Sequence, residues 1–167
     1  MSKNILVAYY SWSNGNTEKI AEQLARACGA DIARIETVKP YPKDYDTTVQ
    51  QAQDEVNAGF EPRIESLGFD LAGYDVIAVG TPTWWYTMAP AVKTFMSSVD
   101  WTGKTVVAFA TNAGWSGSTV ADIEKAANGA AAGPSLEVTF DSAGGSGQKT
   151  SQAEVDAWTK AVEKLLR

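Results

Sequence analysis

Near its start the chain reads Ile5-Leu6-Val7-Ala8-Tyr9-Tyr10-Ser11-Trp12-Ser13-Asn14-Gly15-Asn16-Thr17-Glu18. Ile5 to Tyr9 is a short apolar run, β-branched at Ile5 and Val7, and predicts a strand buried on both faces. Ser11 to Thr17 carries hydroxyls, amides and one glycine but no charge. A helix then opens at Asn16-Thr17-Glu18. Ile20, Leu24 and Cys28 recur at one helical face, and Gly29 stands where a C-cap glycine belongs.

The same alternation continues outward from this unit. Ile32 to Ile35, Val76 to Val79, Thr105 to Ala110 and Leu136 to Phe140 read as further strands. Ala91 to Val99 follows Pro90, a good first helical residue, and Thr119 to Ala127 is helical. Val155, Trp158, Val162 and Leu165 line one face of a last helix. Strand and helix repeated five times predict an α/β fold, a parallel sheet with helices on both faces. The connection from Lys39 to Tyr74 is the longest and is expected to hold a helix near Asp46 to Asn57. No repeat, linker or low-complexity tail interrupts the chain, so residues 1–167 are expected to form one domain.

Composition bounds the function. The chain has 167 residues, 44% apolar and 20% charged, which is globular composition. Its net charge of −6 repels nucleic acid and anionic lipid and favours docking on a basic patch of a partner protein. One cysteine, Cys28, excludes an internal disulfide. There is no histidine, which removes the commonest general base and metal ligand. The apolar run at Ile5 is too short for a signal-peptide core or a membrane span, so a cytoplasmic protein is expected.

In an open parallel sheet, ligands bind beyond the carboxyl ends of the strands where strand order reverses. Three loops are therefore decisive. The first is Ser11, Trp12, Ser13, Asn14, Gly15, Asn16 and Thr17. A helix start offers free N–H groups and about half a positive charge, so a phosphate fits there without a lysine; the competing reading is an ordinary capping turn. It lacks the Gly-Lys-Ser/Thr ending of a triphosphate loop and the three glycines of a dinucleotide fingerprint. A receiver domain shares this strand plan, but Tyr9, Tyr10, Gly80 and Thr81 supply no acidic pocket.

The second loop is Thr81, Pro82, Thr83, Trp84, Trp85 and Tyr86. Its consecutive aromatics call for a flat apolar partner, or for core or interface packing. Trp84 is the first candidate to stack on a ring, with Trp85 and Trp115 behind it. Thr81 to Ala89 contains no glycine and Pro82 fixes one φ, so a left-handed peptide there would cost about 1–2 kcal/mol. The third loop runs from Thr111, Asn112, Ala113, Gly114 and Trp115 to Gly117 and Ser118. Together the loops describe a monophosphate socket beside a flat aromatic slot, which suits flavin mononucleotide (FMN). Elsewhere, Cys28 and Trp158 read as packing, Trp101 as a bridge between surface and core, and Asp54 and Glu55 as a solvated face.

Tyr10-Ser11-Trp12-Ser13-Asn14-Gly15-Asn16-Thr17 and Gly80-Thr81-Pro82-Thr83-Trp84-Trp85, with Pro40-Tyr41-Pro42 and the loop Thr111 to Ser118, resemble the flavodoxin family, in particular its short-chain branch. The first of these is one residue longer than in that branch. The resemblance covers essentially the whole chain. It implies five strands in the order 2-1-3-4-5, a plan for which flavodoxin itself is a standard example. No large insertion splits the fifth strand. The resemblance also implies bound FMN and electron transfer between redox partner proteins without a substrate of its own. The alternative is an FMN-dependent NAD(P)H quinone or nitro reductase, against which stand the absence of a second nucleotide site and the crowding aromatics.

Overall fold

The computed structural model describes residues 3–12, 14–141 and 145–167. Ser13, in the first predicted loop, lies outside them, as does Gly144 of the sequence stretch Gly144 to Gly147, which reads as a glycine-rich turn before the last helix.

Strand β1 (Ile5–Tyr9) is buried along its whole length. It is flanked by two parallel neighbours, β2 (Asp31–Arg34) and β3 (Val76–Trp84). On the far side of β3 lies β5 (Thr105–Asn112), again parallel. Two short segments, β6 (Ala131–Ala132) and β7 (Leu136–Thr139), both pair with β5. The order along the sheet is thus β2-β1-β3-β5-β6, with β4 (Thr87–Met88) antiparallel to the end of β3.

The expected order is present, but the sheet has seven strands where five were expected. The edge strand is cut in two at 133–135, where Pro134 has no N–H to donate to the ladder. The other addition is the β3–β4 hairpin, where a loop was expected. Pro82 lies within β3, which is permitted because β1 has already ended at the Tyr9–Gly80 pair. On the β1 side the proline nitrogen therefore has no strand to bond, while β5 continues alongside on the other.

The helices cover both faces. Helix α1 (Asn16–Cys28) and helix α5 (Gln152–Leu165) bury Ile20, Leu24, Val155, Trp158 and Val162 against Ile5, Val7, Phe109 and Val138. On the opposite face, α3 (Pro90–Ser98) and α4 (Thr119–Ala126) bury Val92, Phe95, Met96 and Ile123 against Ala8, Ile77 and Val79. Helix α2 (Tyr45–Ala58) occupies the long connection and starts on an Asp44 cap that accepts from the Thr47 amide. Gly80 is required by close approach, because a Cβ there would overlap the Phe109 ring. Trp101 is fully buried and donates to the Met96 carbonyl. Cys28 packs half-buried against the α1–α5 core. Among the described residues no helix is long and apolar enough to cross a membrane.

Candidate functional site

Chain order reverses between β1 and β3, so the crevice forms beyond their carboxyl ends. On the β1 side, the Tyr10 amide donates to the Gly80 carbonyl and Ser11 goes underneath the loop, almost fully buried. Its hydroxyl is buried without a hydrogen-bond partner among the described residues. Such a group costs about 1–3 kcal/mol in desolvation, so it calls for a ligand. A few residues on, α1 opens from Gly15, which as the N-cap residue has no side chain to cap it. Its first-turn N–H groups therefore have no intrahelical acceptor and carry the positive end of the helix dipole. The Thr17 hydroxyl shares a 2.8 Å hydrogen bond with that of Thr111, which ties the first loop to the third. The Asn16 side-chain Nδ2 donates to the Gly145 carbonyl at 3.2 Å.

On the β3 side, the hairpin turns through Trp85 and Tyr86, with φ of 50° and 67°. Two non-glycine residues thus occupy the left-handed region, each at the expected cost of about 1–2 kcal/mol. Two positive φ values match the primed turns that suit the strand twist of a two-residue hairpin. Tertiary bonds hold the strain in place. The Ser118 amide donates to the Tyr86 carbonyl at 2.9 Å. The Trp85 indole donates to the Val49 carbonyl of α2 at 3.1 Å. The hydroxyls of Thr87 and Ser118 both donate to one oxygen of Asp122.

Between these walls lies a cavity of about 400 Å³. It is lined by Trp12, Asn16 and Thr17 of the first loop, Pro82 to Tyr86 of the second, and Thr111, Asn112, Ala113 and Trp115 of the third. The remaining expected residues that the structure describes lie outside the lining. Ser11 and Thr81 are buried, and the Thr81 hydroxyl accepts from the Ala89 amide. Asn14 and Gly15 flank the helix start, Gly114 sits in a turn closed on Asn112 Oδ1, and Gly117 packs under Tyr86.

Trp84 is half-buried, with Tyr10, Tyr41 and Trp12 packed edge-on to it at ring-centroid distances of 5.6, 5.2 and 6.1 Å. Trp85, Tyr86 and Trp115 form the exposed rim.

Sequence reasoning missed one whole wall. Tyr45, Thr48, Val49 and Ala52 of α2 line the cavity, and Tyr45 stacks at a tilt on Trp12. Phe140, Asp141 and Gly145 close the far end. Helical spacing of Tyr45, Thr48, Val49 and Ala52 was the available signal, but such a face is equally the signature of core packing. Glu55, expected on a solvated face, instead accepts from the Tyr41 hydroxyl at 2.7 Å and from Gln51. Burial and this carboxylate push the Tyr41 phenol far above its ordinary range, and burial does the same to Tyr10. Both rings are therefore neutral packing against Trp84 at any physiological pH. The described lining holds one carboxylate, Asp141, and no cation. The arrangement suits a flat aromatic body with an anionic end.

A flavodoxin family model matches residues 4–162. Among solved structures, a flavoprotein from Lactobacillus acidophilus NCFM in complex with FMN is 25% identical, with a TM-score of 0.74 over 95% of this chain and 99% of that one. A candidate flavoprotein from Bacteroides uniformis is 26% identical, with a TM-score of 0.77 over 96% and 99%. Flavodoxin 1 of Salmonella typhimurium is 25% identical over 105 residues, which are 60% of this chain and 46% of that protein. The match thus spans less than half of that curated relative.

Proposed function

Since this chain belongs to the flavodoxin family, we propose that it holds one FMN in this cavity and passes electrons between redox partner proteins. The observation that carries the reading is the pairing of a helix start on Gly15, a residue with no capping side chain, with the Ser11 hydroxyl, orphaned among the described residues, at one end of an aromatic-walled cavity. That end fits a phosphate dianion, held by the first-turn amides of α1 and by the hydroxyls of Ser11 and Thr17. The other end fits an isoalloxazine ring, enclosed by Trp12, Trp84, Trp85 and Trp115. When bound, that ring supplies the redox chemistry, taking up and returning electrons. The residues of this chain orient it, exclude water from its faces and leave its edge near the rim.

The exposed rim of Trp85, Tyr86 and Trp115 is the contact for a partner, and a net charge of −6 favours a partner with a basic patch. The setting that fits this role is the cytoplasm.

Titration of the purified protein with FMN, riboflavin and FAD, followed by quenching of flavin fluorescence, tests the reading. FMN is expected to bind about 10–100-fold more tightly than riboflavin, the value of charge-assisted bonds to the phosphate. Equal affinities overturn the phosphate socket. Steady-state oxidation of NADPH by the loaded protein with a quinone, without a separate reductase, overturns the carrier role.

A further inference from the structure

The first loop contains no cation, and the carboxylate of Glu18 sits in the first turn of α1, beside the helix start assigned to the phosphate. An anion there competes with a bound phosphate for the same dipole and repels it. The fold answers with one residue from the edge strand. Arg34 Nη1 donates to Glu18 Oε2 at 2.7 Å, and the Tyr9 hydroxyl donates to the same oxygen at 2.9 Å. Arg34 Nη2 donates to the Ser11 carbonyl at 2.6 Å. Its guanidinium also lies over the Tyr9 ring at 5.8 Å and reaches Glu36 at 3.6 Å. A single planar fork therefore joins the two ends of the loop. It fixes the residue that carries the orphaned hydroxyl and neutralises the carboxylate in the first turn of α1.

We propose that Arg34 is a positioning residue that sets the preference of this site for a phosphorylated flavin, by anchoring Ser11 and by screening Glu18. The inference rests on the reading of the cavity as an FMN site. Its action is confined to the phosphate end, because among the described residues its bonds reach only Ser11, Glu18 and Glu36 and its one ring contact is Tyr9. The flavin ring is enclosed by other residues. A lysine has one compact ammonium and cannot reproduce the two-armed contact.

The test compares FMN and riboflavin affinities of the purified protein and its variants. For Arg34→Met, FMN affinity is expected to fall about tenfold while riboflavin affinity changes less than about twofold, as befits loss of a charge-assisted contact. Arg34→Lys is expected to fall between wild type and Arg34→Met, and keeps the question open to measurement if the methionine variant folds poorly. Adding Glu18→Gln to Arg34→Met is expected to recover part of the lost FMN affinity, because the uncompensated carboxylate is then gone. A parallel loss of both ligands in Arg34→Met and Arg34→Lys overturns the proposal in favour of a merely structural arginine. So does an unchanged FMN-to-riboflavin ratio in the variants. A ratio near one in the wild type overturns the phosphate reading itself, and this inference with it.

Discussion

Gly117 packs directly beneath Tyr86: a Cβ built on Gly117 would stand 2.5 Å from the Tyr86 Cα and closer still to its carbonyl oxygen. The next amide, that of Ser118, donates to that carbonyl. The third loop thus presses on the tip of the β3–β4 hairpin and fixes two non-glycine residues in the left-handed region. Strain of this kind persists where surrounding structure over-determines it, and it clusters at ligand sites.

Two substitutions separate the clamp from the strain. Gly117→Ala introduces an overlap at a position with φ of +55°. It is expected to destabilise the ligand-free protein by about 2–5 kcal/mol, the sum of overpacking and left-handed strain. Tyr86→Gly removes the strain from a residue 58% exposed, and is expected to stabilise the ligand-free protein by about 1 kcal/mol. Both are expected to weaken FMN binding, because each alters the wall formed by the hairpin tip. Denaturant unfolding of the ligand-free protein, paired with FMN titration, checks these signs. A destabilised Tyr86→Gly would show that the turn is relaxed rather than strained.

The Ser11 hydroxyl gives a second contrast between stability and binding. It is buried and unpartnered, so Ser11→Ala removes a polar group that gains nothing without ligand. The ligand-free variant is expected to be as stable as the wild type or up to about 1 kcal/mol more stable. Its FMN affinity is expected to fall roughly tenfold or more, with riboflavin affinity unchanged. Unchanged FMN affinity, measured by the same titration, assigns the phosphate to other groups.

Cys28 predicts a pH dependence in the alkaline range. Burial, and secondarily the charge of Glu163, push its thiol from 9.0 to about 11. A raised folded-state pKa means that the native protein holds the proton more tightly than the unfolded chain. The stability due to this effect is complete below about pH 9 and is lost as pH rises toward 11. Unfolding midpoints are expected to fall across that window more steeply in the wild type than in Cys28→Ala. Alkylation of the native protein by iodoacetamide at pH 8 is expected to be far slower than that of a free thiol. Equal slopes in the two proteins would contradict the burial argument.

The sequence by itself determined the layer architecture and the three loops that meet at the crevice. Ile5–Tyr9, Ile20-Leu24-Cys28 and Val155-Trp158-Val162 carry their period openly, because a strand buried on both faces and a helix buried on one leave unambiguous apolar patterns. The loop proposed as a phosphate socket was legible because Ser11 to Thr17 combines hydroxyls with a helix start and no charge. Only the tertiary structure decided the rest. The Trp85–Tyr86 turn lacks the Asn-Gly signal of a two-residue hairpin, and its backbone is imposed by Ser118 and Gly117 from a distant loop. The α2 wall comes from the longest connection, and no local pattern says where its Tyr45 to Ala52 face will dock. Arg34 reads as an ordinary charge on an edge strand until folding brings it to Ser11 and Glu18. Local pattern reports what each segment buries, whereas convergence of segments far apart in the chain depends on how the layers close.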